Sequence, residues 1–271
     1  NEKWDKKLKS QHLEKLINLS LVENSNFNPS LIVWPESAFP YNSSVLEKKI
    51  NFFDWLKEDQ ILITGITRTN FQNNELKDLY NSAYIIDHAK ENSMFYDKIK
   101  LVPFGEYNPF KKFLNFEKIT NGALDFSSGQ GLNVFNLSQV NYNIALLICY
   151  EAIFSGQVIN GIRPDFIINL TNDAWYGNTY GPVQHLASAR ARAIEEGLPF
   201  VRSANTGISA VIDHYGRFIG RLELEKEGVL DIYIPVSTRR TVFSIYGNML
   251  YIIMSIFMLL LARFIFIKNK L

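Results

Sequence analysis

Ile144-Ala145-Leu146-Leu147-Ile148-Cys149-Tyr150-Glu151 is the stretch that decides both the fold and the site. Five consecutive apolar residues predict a strand buried on both faces, and the thiol, phenol and carboxylate that follow indicate that its carboxyl end opens into a polar site. Cys149 is the only cysteine in 271 residues, so the chain offers no partner for a disulfide or a multi-cysteine metal site. Cys149 is therefore either an inert buried thiol or a nucleophile.

A catalytic thiol needs a base and a cation nearby. An unperturbed thiol has a pKa of about 8.5 and is mostly protonated at neutral pH, so a carboxylate that takes the proton or an ammonium that stabilises the thiolate would activate it. Glu36, Lys98, Cys149 and Asp173 lie at or just after apolar segments, where open α/β sheets gather their chemistry, and Glu106 follows Gly105. Each also has a simpler interpretation, as a turn carboxylate (Glu36, Glu106), a surface charge (Lys98) or an Asx-turn residue (Asp173).

The composition is that of a well-cored globular protein, with 47% hydrophobic and 20% charged residues. A net charge of +1 and the absence of a basic stripe interleaved with aromatics argue against nucleic acid as a partner. Four scattered histidines and one cysteine indicate no metal site, and we expect no cofactor.

Strand–helix alternation in the first half and hairpins in the second predict one α/β domain with a mixed sheet over residues 1–238. The chain starts at Asn1 without an initiator Met or a signal-peptide hydrophobic region, so we expect a fragment whose first strand is truncated. The sequence predicts a helix capped by Asp5 that runs to about Asn24, one from Ser43 or Ser44 through Lys57, and one with Pro182 in its first turn and Gly197 just past its last. It predicts strands over Leu31–Trp34, Ile61–Ile66, Asn81–Asp87, Ile144–Ile148, Asp165–Leu170, Phe200–Ala204, Ile208–Ile212, Arg217–Leu222 and Val229–Pro235. Loops are expected over Asn70–Asp78 and Asn92–Glu106, and a surface arm over residues 107–131.

The last apolar run predicts a transmembrane helix over residues 246–267. Tyr246–Ala262 carries no charge, Arg263 interrupts the run, and Phe264–Ile267 resumes it. At about 1.5 Å per residue this run can cross a hydrocarbon core of about 30 Å. A buried core helix is the alternative, although such a helix would be expected to show a polar face. The basic residues Arg263, Lys268 and Lys270 on the far side, against Arg239 and Arg240 on the near side, favour a cytoplasmic C-terminus.

Three segments occur in an order that resembles the nitrilase (carbon–nitrogen hydrolase) superfamily with its Glu–Lys–Cys triad. They are Trp34-Pro35-Glu36, then Lys98 followed by Leu101-Val102-Pro103-Phe104-Gly105-Glu106, then Cys149-Tyr150-Glu151. Within the superfamily, the chain most resembles the apolipoprotein N-acyltransferase family of bacterial envelopes. Further segments share this likeness: Thr171-Asn172-Asp173-Ala174-Trp175-Tyr176-Gly177, Gln184-His185, Arg190-Ala191-Arg192-Ala193 and Asn205-Thr206-Gly207.

The resemblance implies an α-β-β-α sandwich on the periplasmic side of the bacterial inner membrane, followed by one transmembrane helix. The family's upstream membrane helices are missing from this chain. The resemblance further implies that Glu36 is the general base, Lys98 the stabilising cation and Cys149 the nucleophile. Glu106, Tyr150 and Glu151 would be supporting residues, and Trp175 and Tyr176 would contact lipid.

The activity implied by the resemblance is transfer of an acyl chain from a glycerophospholipid, through a Cys149 thioester, to the N-terminal amine of diacylglyceryl-cysteine in a lipoprotein. A membrane-tethered amidase that hydrolyses a small amide with the same triad is an alternative. A non-catalytic envelope scaffold is a third interpretation, and the intact triad argues against it.

Overall fold

The computed structural model of the chain describes residues 6–21, 27–46, 50–73, 75–90, 93–109, 125–237 and 239–268. Its α-helices are α1 Lys6–Ser20, α2 Ser43–Leu46, α3 Gly181–Glu196, α4 Val242–Tyr246 and α5 Met249–Lys268. Its strands are β1 Leu31–Val33, β2 Ile61–Gln72, β3 Glu75–Asp87, β4 Met94–Asp97, β5 Val134–Leu137, β6 Tyr142–Ile148, β7 Phe166–Asn172, β8 Phe200–Asn205, β9 Ser209–Ile212 and β10 Phe218–Leu222. Short 3-10 helices occur at Ile50–Phe53, Cys149–Ile153 and Asp173–Tyr176.

The strands form two sheets that pack face to face. One has the order β1-β2-β3-β4 and the other β10-β9-β8-β7-β6-β5. β1 is parallel to β2, and β6, β7 and β8 are parallel to one another, whereas the remaining neighbours are antiparallel. One apolar core fills the space between the sheets, a second lies between the first sheet and α1, and a third lies between the second sheet and α3. The predicted α-β-β-α sandwich is confirmed.

β6 shows why the central run had to be apolar throughout. Ile144, Leu146 and Ile148 face the first sheet, whereas Ala145 and Leu147 face α3. All five are buried, because a strand with a layer on each side has no solvent-facing side chains. The run ends where β6 reaches the open edge of the sandwich, and Cys149 follows at once.

The prediction of a polar loop over Asn70–Asp78 is wrong, because the ends of β2 and β3 form a long hairpin there. β2 and β3 stay paired as far as Gln72 opposite Glu75. The outer part of the hairpin is exposed, so its side chains need not alternate with apolar ones. Asn73 at the turn has a φ of +53°, a conformation that asparagine tolerates well. An asparagine at this point is typical of a hairpin turn, and the prediction of a loop did not take it into account.

Three further predictions need correction. The helix over Ser43–Lys57 is replaced by α2 and the Ile50–Phe53 turn, where both Phe52 and Phe53 pack on Phe39. The loop over Asn92–Glu106 contains β4, which pairs with β3. Residues 229–235 form no strand, although Ile232 and Ile234 do pack against the core between the sheets. An alternation of apolar and polar residues, as in residues 229–235, indicates which side chains are buried. It does not show that the backbone pairs with a neighbouring strand.

The remaining elements follow the sequence closely. α3 has Pro182 in its first turn, and Gly197 follows its last residue, as predicted. Gly197 adopts a left-handed φ of +64°, which is typical of the residue that ends a helix. α1 ends at Ser20, four residues before the predicted limit at Asn24, and Asp5 and Asn24 lie outside the described residues. Most of the predicted surface arm, residues 110–124, also lies outside them.

α5 has 20 residues with a mean hydropathy of 2.5 and is long and apolar enough to cross a membrane. Its side chains are not buried in the core, which contradicts the alternative of a soluble core helix. The short helix α4 precedes it and contacts α3. Thr241 caps α4, and its hydroxyl also donates to the Glu195 carbonyl.

Candidate active site

The ends of three strands bring Glu36, Lys98 and Cys149 together at one edge of the sandwich. Glu36 follows β1, Lys98 follows β4 and Cys149 follows β6. All three are at least nine-tenths buried, and the Lys98 Nζ lies 3.9 Å from the Glu36 Oε1. Both charged groups lie close enough to the Cys149 sulfur to shift its pKa. The structure thus brings together the three residues that the sequence left far apart.

Glu36 is held in place by a close approach between its turn and β2. The Gly65 N–H donates to the Pro35 carbonyl at 3.0 Å, and the Phe39 N–H donates to the Gly65 carbonyl at 2.9 Å. A Cβ on Gly65 would stand 2.2 Å from the Ser37 nitrogen and 2.5 Å from the Glu36 Cα, so only glycine fits there. The turn therefore directs Glu36 inward, and the interpretation as a solvated turn carboxylate is wrong.

Lys98 continues the inward-facing side of β4. Tyr96 and Lys98 are two residues apart and point to the same face, toward the second sheet. The Lys98 side chain is 1% exposed, which contradicts the interpretation as a surface charge. Its Nζ lies 2.9 Å from Glu106 Oε2 and 3.0 Å from Glu106 Oε1. Glu106 in turn accepts the Val102 N–H at 2.8 Å, so it is a fixed partner of the ammonium.

Asn81 links the two carboxylates and is a site residue that the sequence analysis missed. Its Nδ2 donates to Glu36 Oε1 at 2.7 Å and to Glu106 Oε1 at 2.8 Å, and its backbone carbonyl accepts the backbone N–H of Lys98 at 2.8 Å. The available signal was its place on the inward face of β3, two residues before Ala83 in the core. We call Glu36, Asn81, Lys98 and Glu106 the reaction cluster.

Cys149 lies on a sharp turn from β6 into the 3-10 helix Cys149–Ile153. Its φ is +49°, a left-handed conformation that costs a residue with a side chain on the order of 1–3 kcal/mol. The Ile148 N–H at the start of the turn donates to Glu151 Oε2 at 2.8 Å. Such strained residues persist only where the surroundings fix them.

Glu151 ties the Cys149 turn to the Lys98 segment. Besides Ile148, it accepts the N–H groups of Ile99 at 2.8 Å and Lys100 at 3.1 Å, and the Tyr96 hydroxyl at 2.9 Å. Burial raises the pKa of Glu151, and the three backbone N–H groups oppose that rise. Its carboxylate is 3% exposed and fully used in these contacts, so it positions the two segments.

The charges around the sulfur favour a protonated thiol in the resting state. Burial and the negative charge of Glu36 raise the pKa of Cys149 to about 12, while Lys98, the Thr171 hydroxyl and the Asn172 N–H act in the opposite direction. Burial alone would lower the pKa of Lys98, but Glu36, Cys149 and Glu106 outweigh it and raise that pKa. The site therefore holds a thiol and an ammonium beside the two carboxyl groups of Glu36 and Glu106.

A second buried cluster lies behind Cys149. Asp173 Oδ1 is 2.9 Å from the His185 Nδ1, and the Arg202 Nη2 donates to Asp173 Oδ2 at 2.7 Å. Arg202 Nη1 donates to Asn169 Oδ1 at 2.9 Å. Asp173 is 2% exposed, and the Asx-turn role belongs instead to its neighbour Asn172. We call Asn169, Asp173, His185 and Arg202 the floor network.

The remaining predicted site residues lie around the mouth of the site. Tyr150 is half-buried, and its ring packs edge-on against Phe154 at 5.0 Å. Trp175 and Tyr176 follow β7 and are 64% and 40% exposed. Burial raises the pKa of Tyr176, and nearby Cys149 adds to the rise, so this phenol lies near the sulfur. Within the described ranges no group of three or more His, Cys, Asp or Glu side chains could hold a metal ion.

The comparisons with known proteins agree with this geometry. The carbon–nitrogen hydrolase family profile matches residues 2–242. The apolipoprotein N-acyltransferase of Rickettsia prowazekii (strain Madrid E) is 38% identical over 263 residues, which are 96% of this chain and 52% of that protein. The apolipoprotein N-acyltransferase of Bradyrhizobium diazoefficiens is 42% identical over 226 residues, 81% of this chain and 42% of that protein. The chain thus spans about half the length of the curated relatives it matches.

Among solved structures, the carbon–nitrogen hydrolase from Helicobacter pylori G27 is similar, with a TM-score of 0.60 at 16% sequence identity. The match covers 82% of each chain. At this level of identity the likeness concerns the fold.

Proposed function

The chain belongs to the carbon–nitrogen hydrolase family, and on that premise we propose that it is the catalytic part of an apolipoprotein N-acyltransferase. The observation that carries the proposal is the meeting of Glu36, Lys98 and Cys149 in one buried site. It occurs in a chain that is 38% identical to the R. prowazekii acyltransferase over 96% of the chain's own length. The acyl donor would be a glycerophospholipid, and the acceptor the N-terminal amine of a diacylglyceryl-cysteine lipoprotein.

In the first half-reaction, Cys149 attacks the carbonyl carbon of the phospholipid ester. Because the pKa of the thiol is raised to about 12, its proton must leave as the sulfur attacks, and Glu36 is the carboxylate that takes it. The new C–S bond places negative charge on the carbonyl oxygen, and Lys98 and the Tyr150 N–H stabilise that charge. When the C–O bond breaks, Glu36 returns the proton to the departing lysophospholipid alkoxide, leaving an acyl thioester on Cys149.

The second half-reaction uses the same groups in reverse. The lipoprotein amine attacks the thioester carbon, Glu36 takes the proton of the amine, and the C–S bond breaks to release the amide. The sulfur leaves as a thiolate beside Lys98 and recovers its proton from Glu36. Since the first product leaves before the acceptor binds, ping-pong kinetics are expected.

The remaining site residues support these steps without taking part in proton transfer. Glu106 is proposed to keep Lys98 protonated and fixed, because it holds the ammonium at 2.9 Å. Glu151 is proposed to hold the Cys149 turn against the Lys98 segment. Trp175 and Tyr176 are proposed to contact the acyl chain, because both are exposed aromatics beside the pocket.

The proposed location is the bacterial inner membrane, with the catalytic domain on the periplasmic side. Both substrates are lipids or lipid-anchored, so the pocket must meet them at the membrane surface, and α5 is apolar enough to keep it there. The basic residues Arg263, Lys268 and Lys270, against Arg239 and Arg240 before the helix, support a cytoplasmic C-terminus.

The test is intact-mass spectrometry of the full-length protein after incubation in detergent with a phospholipid that carries a deuterated acyl chain. We expect a mass increase of one acyl group on Cys149, its loss with neutral hydroxylamine, and its transfer to a diacylglyceryl-cysteine peptide. The variant Cys149→Ala should show none of these, and Tyr142→Ala, an exposed substitution on β6 away from the site, should retain them.

Other outcomes would favour the competing functions. An unmodified Cys149 in a preparation that acylates the peptide would exclude the thioester route. Turnover of a water-soluble amide without phospholipid would point to an amidase. Unchanged lipoprotein acylation in cells that carry only Cys149→Ala would point to a scaffold.

A further inference from the structure

The floor network takes no part in the proton transfers proposed above, and its side chains are buried. The Asp173 and Arg202 side chains are 0% exposed, and His185 is 4% exposed. Buried ion pairs are weak contributors to stability, since the loss of hydration offsets much of their attraction. Stability alone therefore does not explain the floor network, and its contacts indicate its role.

The network ends on the backbone of Cys149. The His185 Nε2 lies 3.1 Å from the Cys149 carbonyl oxygen, and the Asn169 Nδ2 donates to the same oxygen at 3.4 Å. A carbonyl oxygen can only accept, so Nε2 carries the proton in this contact. Two side chains thus hold one carbonyl from behind the turn.

The fixed carbonyl determines where the next N–H points. The peptide between Cys149 and Tyr150 is planar and trans, so its C=O and N–H groups point in opposite directions. With the carbonyl directed into the floor network, the Tyr150 N–H is directed away from that network. Hydrogen bonds to the carbonyl also polarise the peptide and strengthen its N–H as a donor.

The other members of the network fix the two donors. Asp173 is bonded to His185 Nδ1, and Arg202 is bonded to both Asp173 and Asn169. A Cβ on Gly207 would stand 2.3 Å from Asp173 Oδ2, so the β8–β9 turn closes tightly over this carboxylate. Neither donor can turn away without breaking a buried, charge-assisted hydrogen bond.

We propose that His185 and Asn169, held by Asp173 and Arg202, are positioning residues that lock the Cys149–Tyr150 peptide so that the Tyr150 N–H donates to the oxyanion. This inference rests on the proposed function, in which that N–H stabilises the tetrahedral intermediate. It assigns a role to a histidine that lies on α3, outside the Glu–Lys–Cys triad.

The test compares two reactions of the same sulfur in the full-length protein in detergent. Thioester formation with phospholipid passes through an oxyanion, whereas alkylation by iodoacetamide is a displacement at a saturated carbon and needs no oxyanion donor. We expect His185→Leu to slow thioester formation by about 10- to 100-fold, less than the full loss of a donor. Alkylation should stay within about threefold of the wild type, because an oxyanion donor does not contribute to it.

The variant His185→Gln supplies the rescue, because its amide nitrogen can reach the position of Nε2 and donate to the carbonyl. It should acylate faster than His185→Leu. His88→Leu is the matched control, since His88 also contacts a backbone carbonyl, that of Leu56, but outside the site. It should leave both reactions unchanged.

The possible failures are distinguishable. If the wild type forms no thioester, the proposed function fails. If the wild type does and His185→Leu acylates normally, or if acylation and alkylation fall in parallel, the positioning role is overturned. If His185→Leu does not fold, the decision passes to Asn169→Ala, which removes the other donor to the same carbonyl: slowed acylation with normal alkylation supports the role, and normal acylation or a parallel loss overturns it.

Discussion

Two buried clusters of charge lie on either side of Cys149, and they differ in how their charges balance. The reaction cluster has two carboxylates, Glu36 and Glu106, for one ammonium, Lys98. The floor network has one carboxylate, Asp173, bonded to both Arg202 and His185. The first cluster holds more carboxyl groups than cations, whereas both oxygens of the second cluster's single carboxylate are bonded to basic side chains.

This difference indicates what each cluster can do. A general base must gain and lose a proton during turnover, so its site cannot have every negative charge neutralised. A positioning network must keep one geometry, and complete pairing favours that. The predictions below alter one cluster at a time and ask whether chemistry or structure responds.

The largest effect is expected for Lys98→Met. It removes the only cation of the reaction cluster, and we expect thioester formation to fall by about 100- to 1000-fold, as for loss of an oxyanion donor. The measurement is single-turnover acylation of Cys149 followed by mass spectrometry. Lys100→Met is the matched control, because the Lys100 ammonium contacts Gln157 and the Phe154 ring instead of the pocket.

Lys98→Met also leaves two carboxylates buried together, which could disturb the fold. The double variant Lys98→Met/Glu106→Gln removes one of these charges and should restore the thermal unfolding midpoint, but not acylation. Recovery of acylation in the double variant would mean that Lys98 serves only to balance charge.

Arg202→Met is expected to affect stability first. It leaves Asp173 buried without its arginine, and breaking a buried pair in this way costs about 3–5 kcal/mol. The thermal unfolding midpoint of the full-length protein in detergent should fall by several degrees. Arg221→Met breaks an exposed pair with Glu223 and should cost less than about 1 kcal/mol. Equal effects of the two variants would contradict the description of the floor network as a paired structural unit.

The smallest effect concerns the pH dependence of Cys149 alkylation. Because burial and Glu36 raise the pKa of the thiol to about 12, the wild-type rate should still be rising at pH 10, beyond the range in which an ordinary thiol levels off. Glu36→Gln removes a negative charge, so the pKa should fall and the rate profile should move to lower pH. Each unit of that fall raises the thiolate fraction about tenfold.

Glu36→Gln should nevertheless fail to form the thioester, because the amide cannot take a proton. Faster alkylation with lost acylation would separate thiolate stability from proton transfer. If Glu36→Gln instead slows alkylation, the resting enzyme has already transferred the proton to Glu36, and the comparison of the two clusters must be revised.

The sequence predicted the strands whose residues alternate or are apolar throughout, because burial on one or both faces leaves a local pattern. It did not predict β4, which has only four residues and one free edge. That omission concealed why Lys98 points inward, two residues after Tyr96 on the same face. Asn81 was missed for a related reason, since a single amide on an apolar face gives no chemical motif.

Residue types and their order along the chain were enough to identify Glu36, Lys98 and Cys149 as candidates, because strand ends and family segments are local features. Only the tertiary structure decided that Asn81 bridges the carboxyl groups of Glu36 and Glu106 and that Lys98 lies beside both of them. It also decided that His185 contacts the backbone carbonyl of Cys149. Those facts depend on distances between residues remote in sequence. Such distances are set by how two sheets and α3 pack, which no local pattern encodes.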